Sequence, residues 1–244
     1  MATAPPSDEA WTKSIELYCK PSDEELLYEK GEKLAVKAYL AISRLEYSVH
    51  VRSNTEFMSP SGVVPIIRVP PLFFCGFNAI ANFIELKERS ASSLLDSQTT
   101  ADMKAYISLI QDKLLPAEMC ITWGNDDNYA NLTKHKYGDN LPSPLNQIIP
   151  WLKRQSIIRS LRNRELPIVY SDAKSTIKQV LQALSNRLGT SLRFFDDRLT
   201  ELDALAYGHL KSIQDCDLLE IRNLLTDYPN LVVFCNNFPV MNNL

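Results

Sequence analysis

The spacing of hydrophobic and polar positions divides the chain into two parts. Up to about residue 90, short apolar runs typical of strands surround a segment whose apolar residues recur at helical spacing. This alternation predicts an α+β domain over residues 15–90, after a flexible amino terminus at residues 1–14. The predicted elements are strands at residues 15–19, 48–52, 65–69 and 72–75, and helices at residues 32–45 and after residue 75.

Strand patterns disappear beyond a Ser-rich linker at residues 90–93, so the second domain, at residues 97–244, is predicted to be all-helical. Gly124 to Pro144 is polar and Asn-rich, and we expect part of it to be docked on the surface or functional. The predicted helices lie at residues 101–123, with a kink at Pro116, and at residues 145–162, 172–188 and 201–211.

Local signals mark the ends of two of these helices. Ser171 suits the start of the helix at residues 172–188, and Gly189 suits its left-handed stop. Thr200 and Asp203 have the spacing of a capping box, in which each residue bonds a backbone N–H of the other. We therefore assign Thr200 and Asp203 a structural role at the start of the last predicted helix.

Composition and charge exclude several classes of function. The chain has 244 residues, 45% of them apolar, and a net charge of −3, which is typical of a soluble globular protein with a sizeable core. No Lys/Arg cluster suggests nucleic-acid binding. Five widely spaced cysteines and three histidines, without metal-ligand spacing, predict reduced thiols and no metal site.

Targeting and membrane signals are also missing from the sequence. The amino terminus is acidic and Pro-rich, unlike a secretory signal or a mitochondrial presequence. The longest apolar stretch, at residues 63–75, is interrupted by three prolines and an arginine and is too short to span a bilayer. The carboxyl end carries no apolar tail. We therefore expect any membrane residence to depend on a partner protein.

Residues 59–80 resemble the thioredoxin-like domain of glutathione transferases. In that fold a cis Val-Pro step, here at Pro65, enters a strand, and a helix later begins with an acidic residue and a serine before Ala-Ile. Ala79 and Ile80 are present, but the two ligand-holding positions read Gly76 and Phe77. Neither side chain can bond the γ-glutamyl group. The resemblance therefore implies that the glutathione-transferase fold is retained while the glutathione-binding site is missing. We expect no catalytic residue and no cofactor.

Blocks in both domains carry a second, more specific resemblance. They are EFMSPSGVVP at residues 56–65, ADMKAY at residues 101–106, YG followed by PLN within residues 137–146, and RLG through FF and TELDAL to GHL at residues 187–210. These blocks resemble the metaxins, most closely the metaxin-2 type. The resemblance covers nearly the whole chain and implies a thioredoxin-like domain followed by an all-helical glutathione-transferase-like domain.

The metaxin resemblance also implies a function without established enzymatic activity. It implies a peripheral subunit on the cytosolic face of the mitochondrial outer membrane, within the sorting and assembly machinery that receives β-barrel precursors. The implied partners are a tail-anchored metaxin of the metaxin-1 type, as a heterodimer, and the β-barrel assembly subunit. An adaptor role toward mitochondrial transport machinery is a further reading that the resemblance allows.

An enzymatic alternative rests on Cys19, which is followed by Lys20, Pro21 and Ser22 in a Cys-x-x-Ser arrangement after the first strand. This pattern would suit a thiol-dependent glutathione transferase or a monothiol reductase. Against it, the acidic residues 23–25, expected to form a solvated face, surround the thiol, and the predicted helix begins only near residue 32.

The remaining aromatic, histidine and cysteine residues are assigned core or surface roles. We expect His50, His135 and His209 to be core or surface residues rather than metal ligands. Phe194 and Phe195 are predicted to lie in the core, since they precede the capped helix. Sequence alone leaves Trp123 and Trp151 open between core and interface, and Cys75 and Cys120 are predicted to be buried.

Overall fold

The computed structural model of the chain describes residues 15–87, 90–93, 95–166, 168–195 and 198–239; the predicted flexible residues 1–14 lie outside these ranges. The amino-terminal part contains a mixed sheet in the order β2-β1-β3-β4. Its strands are β1 Ile15–Cys19, β2 Tyr47–Val51, β3 Ile66–Val69 and β4 Leu72–Cys75.

Strand pairing follows from the connections. β1 and β2 run parallel because helix α1, Leu27–Ile42, crosses over between them, whereas β3 and β4 form an antiparallel hairpin. Leu17 of β1 lies opposite Ile67 of β3, and both side chains are completely buried. The sheet with its crossover helix confirms the predicted thioredoxin-like domain. Two further helices belong to this part, α2 Thr55–Met58 and α3 Gly76–Leu86.

Helix α1 begins five residues earlier than predicted. The Glu29 side chain accepts a hydrogen bond from the Leu26 N–H at 3.1 Å, which closes the first turn. Glu29 and Glu32 lie on the buried face of the helix. Because two charged residues stand where apolar ones are expected, the hydrophobic periodicity becomes visible only after residue 32.

The predicted helix at residues 101–123 is longer and interrupted by wide turns. It begins as α4, Ser97–Leu109, and continues through a π-helical turn at Ile110–Leu114 into α5, Leu115–Met119. A second π-helical turn follows at Cys120–Gly124. Pro116 lacks the N–H that an α-helical turn would use, and the first π-helical turn lies directly before it.

The polar segment after Gly124 is largely helical and is docked on the helical domain. Docking on the surface was one of the two expectations for this segment. It contains α6, Asp126–Asn128, a π-helical turn and α7, Lys134–Gly138. Tyr129 and Tyr137 pack on the buried Trp123, with ring centroids 6.2 and 5.3 Å from it. These aromatic contacts hold the segment on the helical domain.

In the rest of the helical domain, the helices predicted at residues 145–162, 172–188 and 201–211 are present, and two helices that were not predicted follow them. Its helices are α8 Leu145–Asn163, α9 Tyr170–Leu188, α10 Glu201–Gln214, α11 Leu219–Thr226 and α12 Pro229–Asn237. The predicted cap at Ser171 is wrong, because α9 already begins at Tyr170 and Ser171 lies in its first turn. Gly189 ends α9 with a positive φ of 57°, which favours glycine, but its ψ of −124° differs from that of the predicted left-handed cap.

Helices α1 and α10 pack against each other across the domain interface, and their backbones approach closely at two glycines. A Cβ atom on Gly208 of α10 would lie 2.4 Å from the carbonyl oxygen of Gly31 in α1. Beside this contact, the Glu201 carboxylate accepts hydrogen bonds from the Tyr39 hydroxyl at 2.8 Å and from Ser92 of the linker at 3.0 Å. The Ser-rich linker is therefore bonded to the interface between the domains.

The start of α10 forms the predicted capping box. Asp203 Oδ2 accepts hydrogen bonds from the N–H and the hydroxyl of Thr200, at 2.8 and 2.7 Å. Its other oxygen, Oδ1, accepts from the Phe194 N–H at 3.0 Å. Phe194 and Phe195 are buried in the core, as predicted. Asp203 thus connects the turn that carries the two phenylalanines to the helix start.

Removing either side of this box should destabilise the protein. Thr200→Ala should lower the free energy of unfolding by about 1–2 kcal/mol, the usual cost of a lost helix cap. Asp203→Ala should cost more, about 2–4 kcal/mol, because it leaves the buried N–H groups of Phe194 and Thr200 without an acceptor. Urea unfolding of the purified variants measures both values.

The double variant should lose less than the sum of the two, since both residues serve one motif. Asp96→Ala is a matched control, because the Asp96 side chain caps α4 in an exposed position where water can replace it. Urea midpoints equal to that of the parent in both single variants would show that the box does not stabilise the fold.

Candidate functional site

A cleft of about 440 Å³ lies between the two domains, where the resemblance to glutathione transferases places a ligand. One wall is the loop before β3 together with the start of α3. The opposite wall is provided by α8, by the π-helical turn at Ile110–Leu114 and by α5. The side chains and backbone on these walls include Ser61, Val64, Gly76, Phe77, Gln111, Met119, Lys153 and Ile157.

The sheet wall keeps the backbone form expected from the sequence. The Val64-Pro65 peptide bond is cis, and the Pro65 carbonyl accepts a hydrogen bond from the Gly76 N–H at 2.8 Å. Gly76 has a φ of 76°, and a Cβ atom there would lie 2.8 Å from Val63 Cγ1. An acidic side chain at position 76 would therefore be both strained and crowded.

The amino terminus of α3 is occupied by the chain's own Glu32. Its Oε2 atom accepts a hydrogen bond from the Phe77 N–H at 2.7 Å, and its Oε1 accepts from Gln111 Nε2 at 2.8 Å. The start of a helix attracts anions through its free N–H groups and dipole. Because Glu32 fills this position, the carboxylate of a ligand would be repelled by the Glu32 carboxylate. It would also find the Phe77 N–H already hydrogen-bonded. Phe77 is buried against Tyr39.

Glu32 also belongs to a buried charge cluster behind the cleft. His209 of α10 is completely buried, with Nδ1 2.8 Å from Glu118 Oε2 and Nε2 3.6 Å from Glu32 Oε1. Burial alone would lower the pKa of His209, but the two carboxylates outweigh it and raise this pKa to about 10. Burial raises the pKa of Glu118. We therefore assign His209 as an imidazolium held between carboxylates at neutral pH.

A second polar cluster closes one end of the cleft. Lys20 Nζ lies 2.7 Å from Glu29 Oε1 and 3.2 Å from Glu56 Oε2, and all three residues are buried. Lys153 of α8 bonds the other oxygen of Glu56. The Tyr137 ring lies under Lys20, with its centroid 4.9 Å from Nζ. Two ammonium groups thus balance two carboxylates, and the cluster ties α8 to the sheet domain.

Cys19 does not have the surroundings of a reactive thiol. It is the last residue of β1 and only 3% exposed, and burial raises the pKa of its thiol. Two of the expectations around it were wrong in detail. The helix after it begins at Leu27, and Glu25 is not solvated but buried and paired with Lys33 at 2.5 Å. Burial, more than the nearby negative charge of Glu25, raises the pKa of this thiol.

Of the remaining predicted residues, Cys75 lines the cleft and the others lie apart from it. His50 stacks on Tyr18 with ring centroids 5.0 Å apart, and His135 is exposed. Trp123 is buried, whereas Trp151 is largely exposed on α8. Cys120 is buried and Cys75 only partly so. Within the described ranges, no group of three or more His, Cys, Asp or Glu side chains could hold a metal ion.

Sequence reasoning missed the residues that determine the chemistry of the cleft. Glu32 stands three, four and seven residues before Ala35, Val36 and Tyr39, all of them buried. A charged residue on the apolar face of a predicted helix is a signal of a buried ion pair. Its partners could not be found in the same way, because Glu118 and His209 belong to helices distant in sequence.

Matches to known proteins cover both domains. A family model described as an outer mitochondrial membrane transport complex protein matches residues 34–154, and a model of the glutathione S-transferase C-terminal domain matches residues 177–238. Metaxin-2 of Mus musculus is 37% identical over 93% of this chain and 88% of its own length. Metaxin-2 of Homo sapiens is 36% identical over the same shares. The chain belongs to the metaxin family.

Within this family the metaxin-2 type is the one that the chain resembles at higher identity, since metaxin-1 of Mus musculus is 27% identical over 91% of the chain and 73% of its own length. Membership in the metaxins supports a role in mitochondrial protein import at the outer membrane. Among the described helices, none combines the length and apolar character needed to cross a bilayer.

Solved structures confirm the predicted architecture. Glutathione transferase F7 of Populus trichocarpa aligns with a TM-score of 0.59 and 12% identity, over 93% of this chain and 94% of that one. A glutathione S-transferase of Methylobacterium radiotolerans in complex with glutathione sulfonate aligns with a TM-score of 0.59 and 14% identity, over 94% and 92%. At such identities the likeness concerns the fold alone.

This metaxin should not bind glutathione. Glu32 occupies the α3 amide, and Gly76 and Phe77 offer no side-chain donor or acceptor for the γ-glutamyl group. We expect no retention on immobilised glutathione, with an active glutathione transferase as the positive control. Retention that free glutathione competes away, or turnover of a chloronitrobenzene substrate that disappears in Cys19→Ser, would contradict this prediction.

The buried histidine predicts how stability depends on pH. A histidine in the unfolded chain has a pKa of about 6.5, whereas His209 has a folded pKa of about 10. Its contribution is therefore fully present below about pH 6.5 and is lost as the pH rises toward 10. The free energy of unfolding should fall by up to about 1.4 kcal/mol per pH unit in this window.

Urea midpoints measured between about pH 6.5 and 8.5 test this slope before the unfolded thiols and phenols titrate. Glu118→Gln removes the carboxylate that contributes most to the raised pKa of His209, so its stability should vary less with pH. Glu46→Gln removes an exposed carboxylate and is the control. An equal slope in the parent and in Glu118→Gln would rule out the charged pair.

Proposed function

We propose that this metaxin is a non-catalytic, peripheral subunit of the sorting and assembly machinery on the cytosolic face of the mitochondrial outer membrane. It supports the import and assembly of β-barrel proteins by docking to other proteins. The observation that carries this proposal is the metaxin similarity over 93% of the chain. The family model for an outer-membrane transport complex, over residues 34–154, supports it further.

The geometry of the cleft supports docking over small-molecule catalysis. An enzyme of this fold needs a free helix terminus to hold its anionic ligand. Here the Glu32 carboxylate accepts a hydrogen bond from the first free N–H of α3, that of Phe77, and the Phe77 side chain is buried in the core. Lys20 and Lys153, two ammonium groups beside the cleft, are both paired with carboxylates. The charged groups at this site therefore stabilise the domain contact.

Residence at the membrane then comes from partner proteins. We propose a heterodimer with a tail-anchored metaxin of the metaxin-1 type, which also brings this chain to the β-barrel assembly subunit. A first contact of this kind raises the effective concentration for the second contact, so two weak interactions produce stable residence.

Thiol chemistry at Cys19 is the weaker alternative, since the thiol is buried and its pKa is raised. A low thiol pKa and access to solvent are what a transferase or reductase of this type requires. For the adaptor reading, no contact within the described residues favours it over a subunit of the assembly machinery.

Co-purification from solubilised outer membranes tests the proposal. A tagged chain should bring down a tail-anchored metaxin and the β-barrel assembly subunit, identified by mass spectrometry. The chain should be digested by protease added to intact mitochondria, and alkaline carbonate should release it, because protein contacts rather than spanning segments hold it.

Depletion of the tail-anchored metaxin is the decisive comparison. The chain should then move to the cytosolic fraction, while an unrelated tail-anchored protein of the outer membrane stays in place as the control. Retention in the carbonate pellet, or full membrane residence after the depletion, would contradict a partner-held subunit. Absence of both proposed partners from the purified material would contradict the assembly role itself.

A further inference from the structure

The outward face of α8 carries a stripe of apolar side chains that no element within the described ranges covers. On the opposite face, Pro150, Ile157 and Leu161 are buried against the helical domain. Periods of three to four residues place the outward side chains together. This set, the α8 stripe, consists of Leu145 (42% exposed), Ile148 (46%), Trp151 (54%) and Leu152 (53%).

Positive charge continues the stripe toward the carboxyl end of the helix. Arg159 and Arg162 lie about two and three turns beyond Leu152 on the same face, and both are exposed. Residues 145–164 contain five Lys or Arg and no Asp or Glu, although the whole chain has a net charge of −3. Lys153, Arg154 and Arg164 are paired with Glu56, Asp126 and Asp112, and the helix places the other two, Arg159 and Arg162, beside the apolar stripe.

The size of this surface separates two kinds of occupant. A stable protein interface takes roughly 20–30 residues from each side, and one face of one helix supplies far fewer. A membrane surface requires less: a few apolar side chains at the boundary of headgroups and acyl chains, with cationic side chains beside them. Trp151 suits this boundary, because an indole ring has an apolar body and a polar N–H.

We propose that the α8 stripe, together with Arg159 and Arg162, contacts an anionic phospholipid surface. This inference rests on the proposed residence at the outer membrane and adds a direct lipid contact to it. Four apolar side chains and two arginines form a weak, reversible contact. The lipid contact therefore orients a chain that its protein partners hold, and does not replace those partners.

Vesicle binding of the purified chain tests the lipid contact without any other protein. We expect the chain to sediment with vesicles of phosphatidylcholine and phosphatidylglycerol at low ionic strength, and much less with phosphatidylcholine alone or at high salt. Trp151→Ser with Leu152→Ser, and Arg159→Glu with Arg162→Glu, should each raise the lipid concentration for half-maximal binding at least about tenfold.

Matched controls change the same chemistry elsewhere. Leu192→Ser with Leu219→Ser removes two apolar side chains that are 62% and 60% exposed. Lys178→Glu with Arg222→Glu changes the net charge by the same amount on α9 and α11, at exposed positions. Both controls should bind vesicles like the parent. Unchanged urea midpoints show that all four variants are folded.

Two results would overturn the lipid contact: no binding of the parent to anionic vesicles, or equal binding by the parent and both α8 variants. If the α8 variants instead lose co-purification with outer-membrane proteins while vesicles bind neither them nor the parent, the stripe is a protein-docking surface. Because the vesicles contain no other protein, the vesicle result does not depend on the proposed assembly role. Failure of one of the two proposals can therefore be distinguished from failure of the other.

Discussion

The close contact between α1 and α10 is the constraint on which the rest of the structure depends. Gly31 and Gly208 allow it, because a Cβ atom at either position would collide with the facing helix. The contact brings His209 of α10 against Glu32 of α1 and Glu118 of α5. A larger residue at either glycine would separate the helices and move His209 away from Glu32, so that packing and charge pairing would both be weakened.

Glu32 links this contact to the loss of the ligand site. The same carboxylate faces His209, accepts from Gln111 and bonds the Phe77 N–H at the start of α3. A ligand carboxylate could take the α3 amide only if Glu32 moved away from the buried imidazolium. That move would leave the buried His209 with Glu118 as its one carboxylate partner, which is unfavourable for a buried charge. The domain contact and the blocked helix terminus are therefore two consequences of one side chain.

Sequence patterns predicted the elements well wherever apolar residues alone mark the buried face. β1 and β4 were predicted at their observed bounds, and the order of elements gave the domain type. The start of α1 was missed because Glu29 and Glu32 interrupt its apolar face. The cap at Ser171 was predicted wrongly because many serines outside helix starts occur in a similar local sequence. Boundaries fail where a polar residue is buried or where a local signal is common.

The site divides in the same way. Gly76 and Phe77 could be assigned from their own chemistry, since neither can hold a carboxylate. The partner that fills the terminus could not, because Phe77 and Glu32 are 45 residues apart and Glu118 and His209 are 91 apart. The two faces of α8 follow this rule as well. Its inner face is fixed by long-range bonds such as that from Lys153, whereas the four apolar side chains of its outer face are 42–54% exposed. Apolar residues there point to a surface outside the chain.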